Sequence, residues 1–246
     1  MTPLTDRNQR ELIAYWSMAG TPHGRAWINA RRHFKCLVWR SVIASSLALK
    51  RTLDILVALL TLTIWSPFLL LVIALIKLED RGPIFFRQKR IGLRGQPFGM
   101  WKFRSMVMNA DKIKDALLQQ NEMAGGVTFK MKNDPRVTRI GKWIRKFSVD
   151  EVPQLWNVLV GDMSVVGPRP SPHGENQYCP AWREARLSVR PGITGLWQVQ
   201  RTRRAGSDFQ EWIKYDIEYV ERRTIWLDLV ILWKTVANVF GKLSRN

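Results

Sequence analysis

Residues Ile55 to Ile76 read ILVALLTLTIWSPFLLLVIALI, 22 positions without a charge. As one straight helix the run is about 33 Å long, enough for a hydrocarbon layer roughly 30 Å thick. It constrains the fold strongly, because backbone in lipid must satisfy its own hydrogen bonds, as helix or closed barrel. The run begins too far into the chain for a signal peptide, and no small-residue cleavage site follows it.

Two features complicate a plain span. Ser66-Pro67 falls at its centre, where proline removes a backbone donor and crowds the preceding turn. Each half is then about 15 Å long, half the hydrocarbon depth. Ser66 is placed to bond a carbonyl that the proline frees. Both flanks are basic, with Arg31, Arg32, Lys35, Arg40, Lys50 and Arg51 before the run and Lys77, Arg81, Arg87, Lys89, Arg90 and Arg94 after it. Basic flanks favour the cytoplasmic side, a preference that a single span satisfies at one end only. A helix–break–helix that enters and leaves by one face satisfies it at both. From these residues alone, span and hairpin both stay open. Asp54, at the entrance, is expected to pair locally with Lys50 or Arg51.

The chain carries 39 Lys+Arg against 20 Asp+Glu, a formal net charge of +19. That balance suits anionic lipid, a nucleotide or nucleic acid. No helix-turn-helix, RNA-recognition or zinc pattern supports nucleic acid. Cys36 and Cys179 form no CxxC pair and read as free thiols, and the three histidines are scattered. No zinc centre or histidine-based nucleophile is visible.

The order of elements reads as α+β, mostly α. Residues 1–47 form a basic amphipathic lead-in, with CLVWRSVIASSLAL apolar enough to lie on a membrane surface. Residues 48–80 hold the apolar segment, and 81–241 form the remaining domain. Within that domain, strands fall at about 84–90 and 97–103 around a glycine turn. Helices are expected at 109–123, 141–146, 180–188, 207–222 and 224–240, with a loop over 124–141. GDMSVVGPRPSP and RPGITGLWQV read as loops. In the last helix Trp226, Leu229, Trp233, Val236 and Phe240 share a stripe that suits a core face or a membrane surface.

The stretch RKFSVDEVPQLWNV sets two acids, Asp150 and Glu151, side by side in this basic chain. Ser148 with Glu151 three residues on reads as a capping box. Alternatively, Asp150 caps a helix with Pro153 in its first turn. Either register places both carboxylates at the positive end of a helix dipole. Val152, Leu155, Trp156 and Leu159 continue at helical spacing until Gly161. Plain capping would also put acids here.

Four co-linear stretches make the chain familiar. KRTLD precedes the Ser-Pro-interrupted run; GPIFFRQKRIGLRGQPFGMWKFRSM follows it. DPRVTRIGKWIRKFSVDEVPQLWNVLVGDMSVVGPRP comes next, then RPGITGLWQV with WIKYDIEYV. Over about residues 48–238 these resemble the bacterial sugar transferases, monotopic phosphoglycosyl transferases acting on polyprenyl phosphate. The resemblance implies a re-entrant membrane helix hairpin broken at Ser66-Pro67, a small β-hairpin, and membrane-surface amphipathic helices around a cytoplasmic catalytic domain on the bacterial inner membrane.

It also implies transfer of a sugar-1-phosphate from a UDP-sugar to undecaprenyl phosphate. That is the first membrane step of exopolysaccharide, lipopolysaccharide or other glycoconjugate synthesis. Mg²⁺ is the implied cofactor, held by Asp150 and Glu151, and Asp150 is the implied covalent nucleophile. A carboxylate is a competent phosphoryl acceptor, since the acyl phosphate it forms passes the group on. Glu151 would help hold Mg²⁺ and assist deprotonation. Lys102, Arg104, Arg145 and Arg169 are candidates for diphosphate and nucleotide contacts, with arginine as a bidentate fork. A lone arginine more often serves as surface charge. Gly192 and Thr194 lie in PGITG, which either points backbone N–H groups at a phosphate or only turns the chain. Asp216 is expected to orient a basic residue near the site, against a plain surface ion pair.

The chain departs from the family pattern in several places. Val149 and Val152 stand where leucines are common. After Val199 the arginine that meets substrate is unassigned among Arg201, Arg203 and Arg204. Longer members carry several transmembrane helices ahead of the shared region. Apolar faces near the membrane leave room for a homodimer. The competing reading is a basic membrane-associated binding protein in which Asp150-Glu151 only cap a helix.

Overall fold

In the computed structural model, which describes residues 6–110, 112–113, 131, 134–172, 180–201 and 208–243, the chain is mostly helical with two small sheets. It divides into two units, Met1–Arg51 and Thr52–Asn246. The first unit holds α1 (Asp6–Gly20) and the start of α2 (Pro22–Asp80). Thr21 caps that start, its hydroxyl accepting from the Gly24 N–H at 3.0 Å. Trp16, Trp27, Phe34 and Trp39 of this unit are exposed.

The second unit takes in the apolar segment and everything after it. Here α2 passes through Ser66-Pro67 without leaving helical structure, so the two expected half-helices form one helix. Ser66 Oγ donates to the Thr63 carbonyl at 2.8 Å. That carbonyl lies four residues before Pro67 and is the one the missing proline N–H leaves open. One side of the segment is buried at Asp54, Ala58, Val72 and Ile76. The opposite side exposes Leu56, Leu60, Ile64, Leu70 and Leu71.

Strands β1 (Phe85–Ile91) and β2 (Pro97–Phe103) form an antiparallel hairpin, from Phe85 opposite Phe103 to Ile91 opposite Pro97. They agree with the expected strands to within a residue. Next come α3 (Arg139–Lys146), a single 3-10 turn over Val149–Glu151, and α4 (Gln154–Val160). Gly161, at φ 100, ends α4 as expected and donates to the Asn157 and Val158 carbonyls. The chain continues through β3 (Ser164–Val166), α5 (Pro180–Leu187), β4 (Gly192–Thr194), α6 (Leu196–Gln200), α7 (Asp208–Glu221) and α8 (Ile225–Leu243). The expected helix over 109–123 lies outside the described residues except at 109–110 and 112–113, and most of the loop before 134 does too.

Two stretches read as loops are strands. β3 and β4 pair in parallel, Ser164 opposite Gly192 and Val166 opposite Thr194. Three-residue strands are too short for an alternating pattern to register. The two glycines at this pair have a steric cause. A Cβ on Gly192 would lie 2.1 Å from the Gly167 nitrogen, so the backbones approach only without side chains. LWQVQ, also read as loop, is the short α6.

Both halves of the apolar segment pack into this unit. Ala58 joins a core with Met100, Leu155, Val158, Val166, Tyr219 and Ile231. Val72 and Ile76 join a second core with Phe103, Ile144 and Val149. The segment's ends are tied down by polar bonds. The Asp54 carboxylate accepts from Ser164 Oγ at 2.8 Å and from the Val165 N–H at 3.0 Å, a long-range tie that a local reading does not anticipate. At the far end Arg104 forks onto Asp80, and the Ile140 N–H donates to Glu79 Oε1 at 3.2 Å.

The stripe on α8 points outward. Trp226 is 75% and Trp233 74% exposed, whereas Ile231 is fully buried. Of the two readings of that stripe, the core face is therefore excluded for Trp226, Leu229, Trp233 and Val236. The Phe240 side chain lies outside those described.

Candidate active site

Asp150 and Glu151 occupy the 3-10 turn between α3 and α4, not the first turn of an α-helix. Ser148 adopts a left-handed conformation at φ 58, and its side chain makes no capping bond. The expected capping box is therefore absent. An N-cap needs extended backbone to aim its oxygen at the N–H groups ahead, and a left-handed residue does not provide it. Pro153, which has no N–H to cap, directly precedes α4. The charge environment of the two acids thus comes from neighbouring side chains.

Asn157 holds this segment against the β-hairpin. Its Oδ1 accepts from the Trp101 N–H at 2.9 Å, and its Nδ2 donates to the Gly99 carbonyl at 2.9 Å. The amide takes the place that a further strand would occupy beside β2. Sequence reasoning missed it, although an amide inside the apolar run Leu155–Val160 was a signal for a buried polar partner.

Residue Lys102, on β2, brings Nζ to 3.2 Å from Glu151 Oε1. Arg169 Nη2 donates to the same oxygen at 3.1 Å. Burial alone would raise the Glu151 pKa; Arg169 and then Lys102 outweigh it and hold the carboxyl down at about 2. Asp150 shifts the other way. Burial and then the negative charge of Glu151 push its pKa up, against the pull of Lys102 and Arg145. Burial lowers the Lys102 pKa, with Glu151 opposing. Adjacent carboxylates are thereby driven apart, one fixed as an anion and one made more basic. Among the described residues, the Asp150 carboxylate is bonded to no other side chain.

Of the remaining expected residues, Arg145 stays near the pair. Its Nε donates to Ser105 Oγ at 2.8 Å, and its charge is felt at Asp150. Arg104 is turned elsewhere, with both terminal nitrogens on the Asp80 carboxylate. Gly192 and Thr194 build the parallel strand pair. The Gly192 N–H donates to the Pro168 carbonyl at 2.8 Å, and the Thr194 hydroxyl lies 2.7 Å from that of Thr235. Asp216 is buried and pairs with Arg186 at 3.5 Å, an arginine that no sequence motif singles out.

The donor set suits one kind of cation. Among the described residues, no three His, Cys, Asp or Glu side chains converge as a metal cage. Two adjacent carboxylates, one of them without a side-chain partner, instead fit a hard ion that takes one or two carboxylates and completes its shell with phosphate and water.

A cavity of about 340 Å³ lies next to the segment that carries the acids. It is walled by Leu62, Leu69 and Ile73 of α2, by Phe85, Trp101 and Phe103 of the hairpin, and by Val152, Pro153 and Trp156. Its lining is apolar, and Leu62 and Leu69 bracket the Ser66-Pro67 step.

The sequence profile that describes bacterial sugar transferases matches residues 45–242. The chain belongs to that family. It is 44% identical over 192 residues to the galactosyl transferase CpsE of Streptococcus agalactiae, covering 78% of this chain and 42% of CpsE. It is 41% identical over 200 residues to the exopolysaccharide production protein ExoY of Sinorhizobium fredii, covering 80% and 87%. The undecaprenyl-phosphate galactose phosphotransferase of Salmonella typhimurium is 43% identical over 202 residues, covering 80% and 42%. The chain thus spans about two fifths of the length of several curated relatives it matches.

Proposed function

We propose that this chain is a membrane-bound phosphoglycosyl transferase moving a sugar-1-phosphate from a UDP-sugar to undecaprenyl phosphate. The observation that carries the reading is the split pair at 150–151: a half-buried Asp150 with no side-chain partner among the described residues, beside a Glu151 anchored by Lys102 and Arg169. Relatives named as undecaprenyl-phosphate galactose phosphotransferase and as UDP-glucose:undecaprenyl-phosphate glucose-1-phosphate transferase supply the substrate classes.

The chemistry balances in two displacements. An Asp150 carboxylate oxygen attacks the phosphorus that bears the sugar. The bond from that phosphorus to the nucleoside monophosphate breaks, and the nucleotide leaves. The resulting acyl phosphate carries the sugar. A phosphate oxygen of the lipid acceptor then attacks the same phosphorus, the Asp150–phosphorus bond breaks, and the carboxylate is restored. Lys102, Arg145 and Arg169 supply positive charge where phosphate oxygens gain negative charge. Bound to Asp150 and Glu151, Mg²⁺ would neutralise diphosphate charge.

The apolar segment enters and leaves the cytoplasmic face of the bacterial inner membrane in this reading. Asp54 and Asp80 bracket it and are tied to one and the same unit. A segment crossing the bilayer would put those ties on opposite sides of it. Exposed Trp156, Trp226 and Trp233 then meet lipid at the interface. The apolar cavity beside Val152 and Pro153 offers room for isoprenoid units of the acceptor.

Intact-protein mass spectrometry tests the central step. Mixed with its donor and no acceptor, then acid-quenched, the chain should gain the mass of one phosphosugar, mapped to Asp150. A donor that is consumed while the protein mass stays unchanged would overturn the covalent route.

A further inference from the structure

The three residues Pro168, Arg169 and Pro170 are held by their carbonyls. The Gly192 N–H donates to Pro168 at 2.8 Å, and Arg90 Nη1 donates to Pro170 at 3.3 Å. The middle carbonyl, that of Arg169, accepts from Arg186 Nη2. Prolines on either side remove two N–H groups and fix φ, so carbonyl bonds are the main means of setting this segment's orientation. Arg169 is also the residue whose guanidinium reaches Glu151.

The side chain of Arg186 is itself tightly bounded. Its guanidinium carbon sits 4.3 Å from the Trp182 ring centroid and 5.0 Å from that of Trp212. The two indoles meet edge to face at 5.5 Å. Arg186 Nε faces Asp216 Oδ2 at 3.5 Å, and both side chains are 3% exposed. Burial pushes the Asp216 pKa up to about 7, with Arg186 and the Trp182 and Trp212 indoles opposing. A guanidinium held by two ring faces and a carboxylate has little freedom to swing, so the nitrogen on the Arg169 carbonyl is fixed in place.

We propose that Arg186 is a positioning residue for the transfer reaction: clamped by Trp182, Trp212 and Asp216, it grips the Arg169 carbonyl and so aims the Arg169 guanidinium at Glu151 and the donor diphosphate. The chain of contacts runs Asp216, Arg186, Arg169, Glu151, from α7 through α5 to the 3-10 turn. In this role Arg186 acts through Arg169 and not on substrate. The proposal rests on the phosphotransfer reading above and goes beyond it by naming what holds a phosphate-facing arginine in register.

The test is a double-mutant cycle on the full chain in native-lipid membranes, following nucleoside monophosphate release from the UDP-sugar. Arg186→Lys keeps the charge beside Asp216 but cannot span both the carboxylate and the carbonyl. It should lower kcat about tenfold, as loss of an orienting partner does. Arg169→Lys alone should also lose rate. In the Arg169→Lys background, adding Arg186→Lys should cost less than about twofold, because the guanidinium that Arg186 aims is already gone. A full tenfold loss in both backgrounds would overturn the proposal. If Arg186→Lys does not fold, Asp216→Asn takes its place in the same cycle with the same expected non-additivity. Additive losses there overturn it equally. No release by the unaltered chain with any UDP-sugar would instead reject the phosphotransfer reading, a result separable from additivity.

Discussion

Two ionic centres of the second unit differ in how completely they are closed. At the end of α2, Arg104 places two nitrogens on both oxygens of Asp80, and the carboxylate is closed further by the Gly82 N–H on Oδ1. At the 3-10 turn, Lys102 and Arg169 converge on a single oxygen of Glu151, and Asp150 next to it has no side-chain partner among the described residues. Closed pairs return most of the Coulomb energy that burial costs and have nothing left for a ligand. Open clusters retain unbalanced charge and accept more. Asp134 with Arg136 is closed in the same way as Asp80 with Arg104, Nη2 to Oδ2 at 2.7 Å. Basic content alone therefore does not mark the site; incomplete pairing does.

The largest effect that would sharpen this contrast is Asp150→Asn. An amide keeps the shape and hydrogen-bonding room but not the proposed nucleophile, so turnover should fall at least about a thousandfold. Membrane recovery and the unfolding midpoint should hold. Nucleotide release at the unaltered rate would place Asp150 with the closed, structural acids. Arg104→Met is the opposite experiment. It leaves Asp80 without its fork, and the expected loss is roughly 2 kcal/mol, below the range for fully buried pairs because Asp80 is 30% exposed. Thermal unfolding would read it, while kcat measured well below the midpoint should stay within about threefold. A collapse of kcat in well-folded protein would show that Arg104 belongs to the site after all.

Much of the open centre was legible in sequence because it is local. Asp150 and Glu151 are adjacent, and Lys102, Arg145 and Arg169 stand out as cations inside recurrent motifs. The partners that decide their roles come from far along the chain. Nothing in KFRSM distinguishes Lys102, which meets Glu151, from Arg104, which meets Asp80; they stand two residues apart at the end of one strand and reach different centres. Arg186 was invisible for the same reason, since its meaning lies in the Arg169 carbonyl and in Trp212 and Asp216 of α7, with Trp182 alone of these on its own helix. The β-hairpin was legible because two seven-residue strands flank a glycine turn, whereas β3 and β4 are three residues each. The 3-10 turn was misread because Ser-x-x-Glu looks like a cap whatever the φ of its serine.

Acid should separate the two carboxylates. Glu151, depressed to about 2 in the fold against an ordinary value of 4.5, contributes stability above pH 4.5 that is lost as pH falls toward 2. Asp150 is raised, so its ionised, reactive form is lost first as pH falls, and the acid limb of kcat/KM should report it. Glu151→Gln removes the negative neighbour that helps raise Asp150 and leaves Lys102 and Arg145 to pull it down. The acid limb should therefore move to lower pH, even as the rate drops. An acid limb that stays in place would mean that burial, and not the charge of Glu151, sets the Asp150 shift.

The smallest expected effect tests the border between the centres. Ser105 follows Arg104 in sequence, yet its hydroxyl holds Arg145 Nε at 2.8 Å, while its carbonyl accepts from the Thr138 N–H at the start of α3. Ser105→Ala deletes the first bond and keeps the second. The serine is buried, so the freed Arg145 nitrogen must find another acceptor or water, at a net cost near 1 kcal/mol. If Arg145 belongs to the open centre, that cost should appear as a several-fold rise in KM for the UDP-sugar, because the guanidinium now approaches the diphosphate without a fixed orientation. The unfolding midpoint should move by no more than a few degrees. A midpoint that drops while KM stays constant would assign Arg145 to the scaffold with Arg104 and reduce the phosphate-facing cations to Lys102 and Arg169.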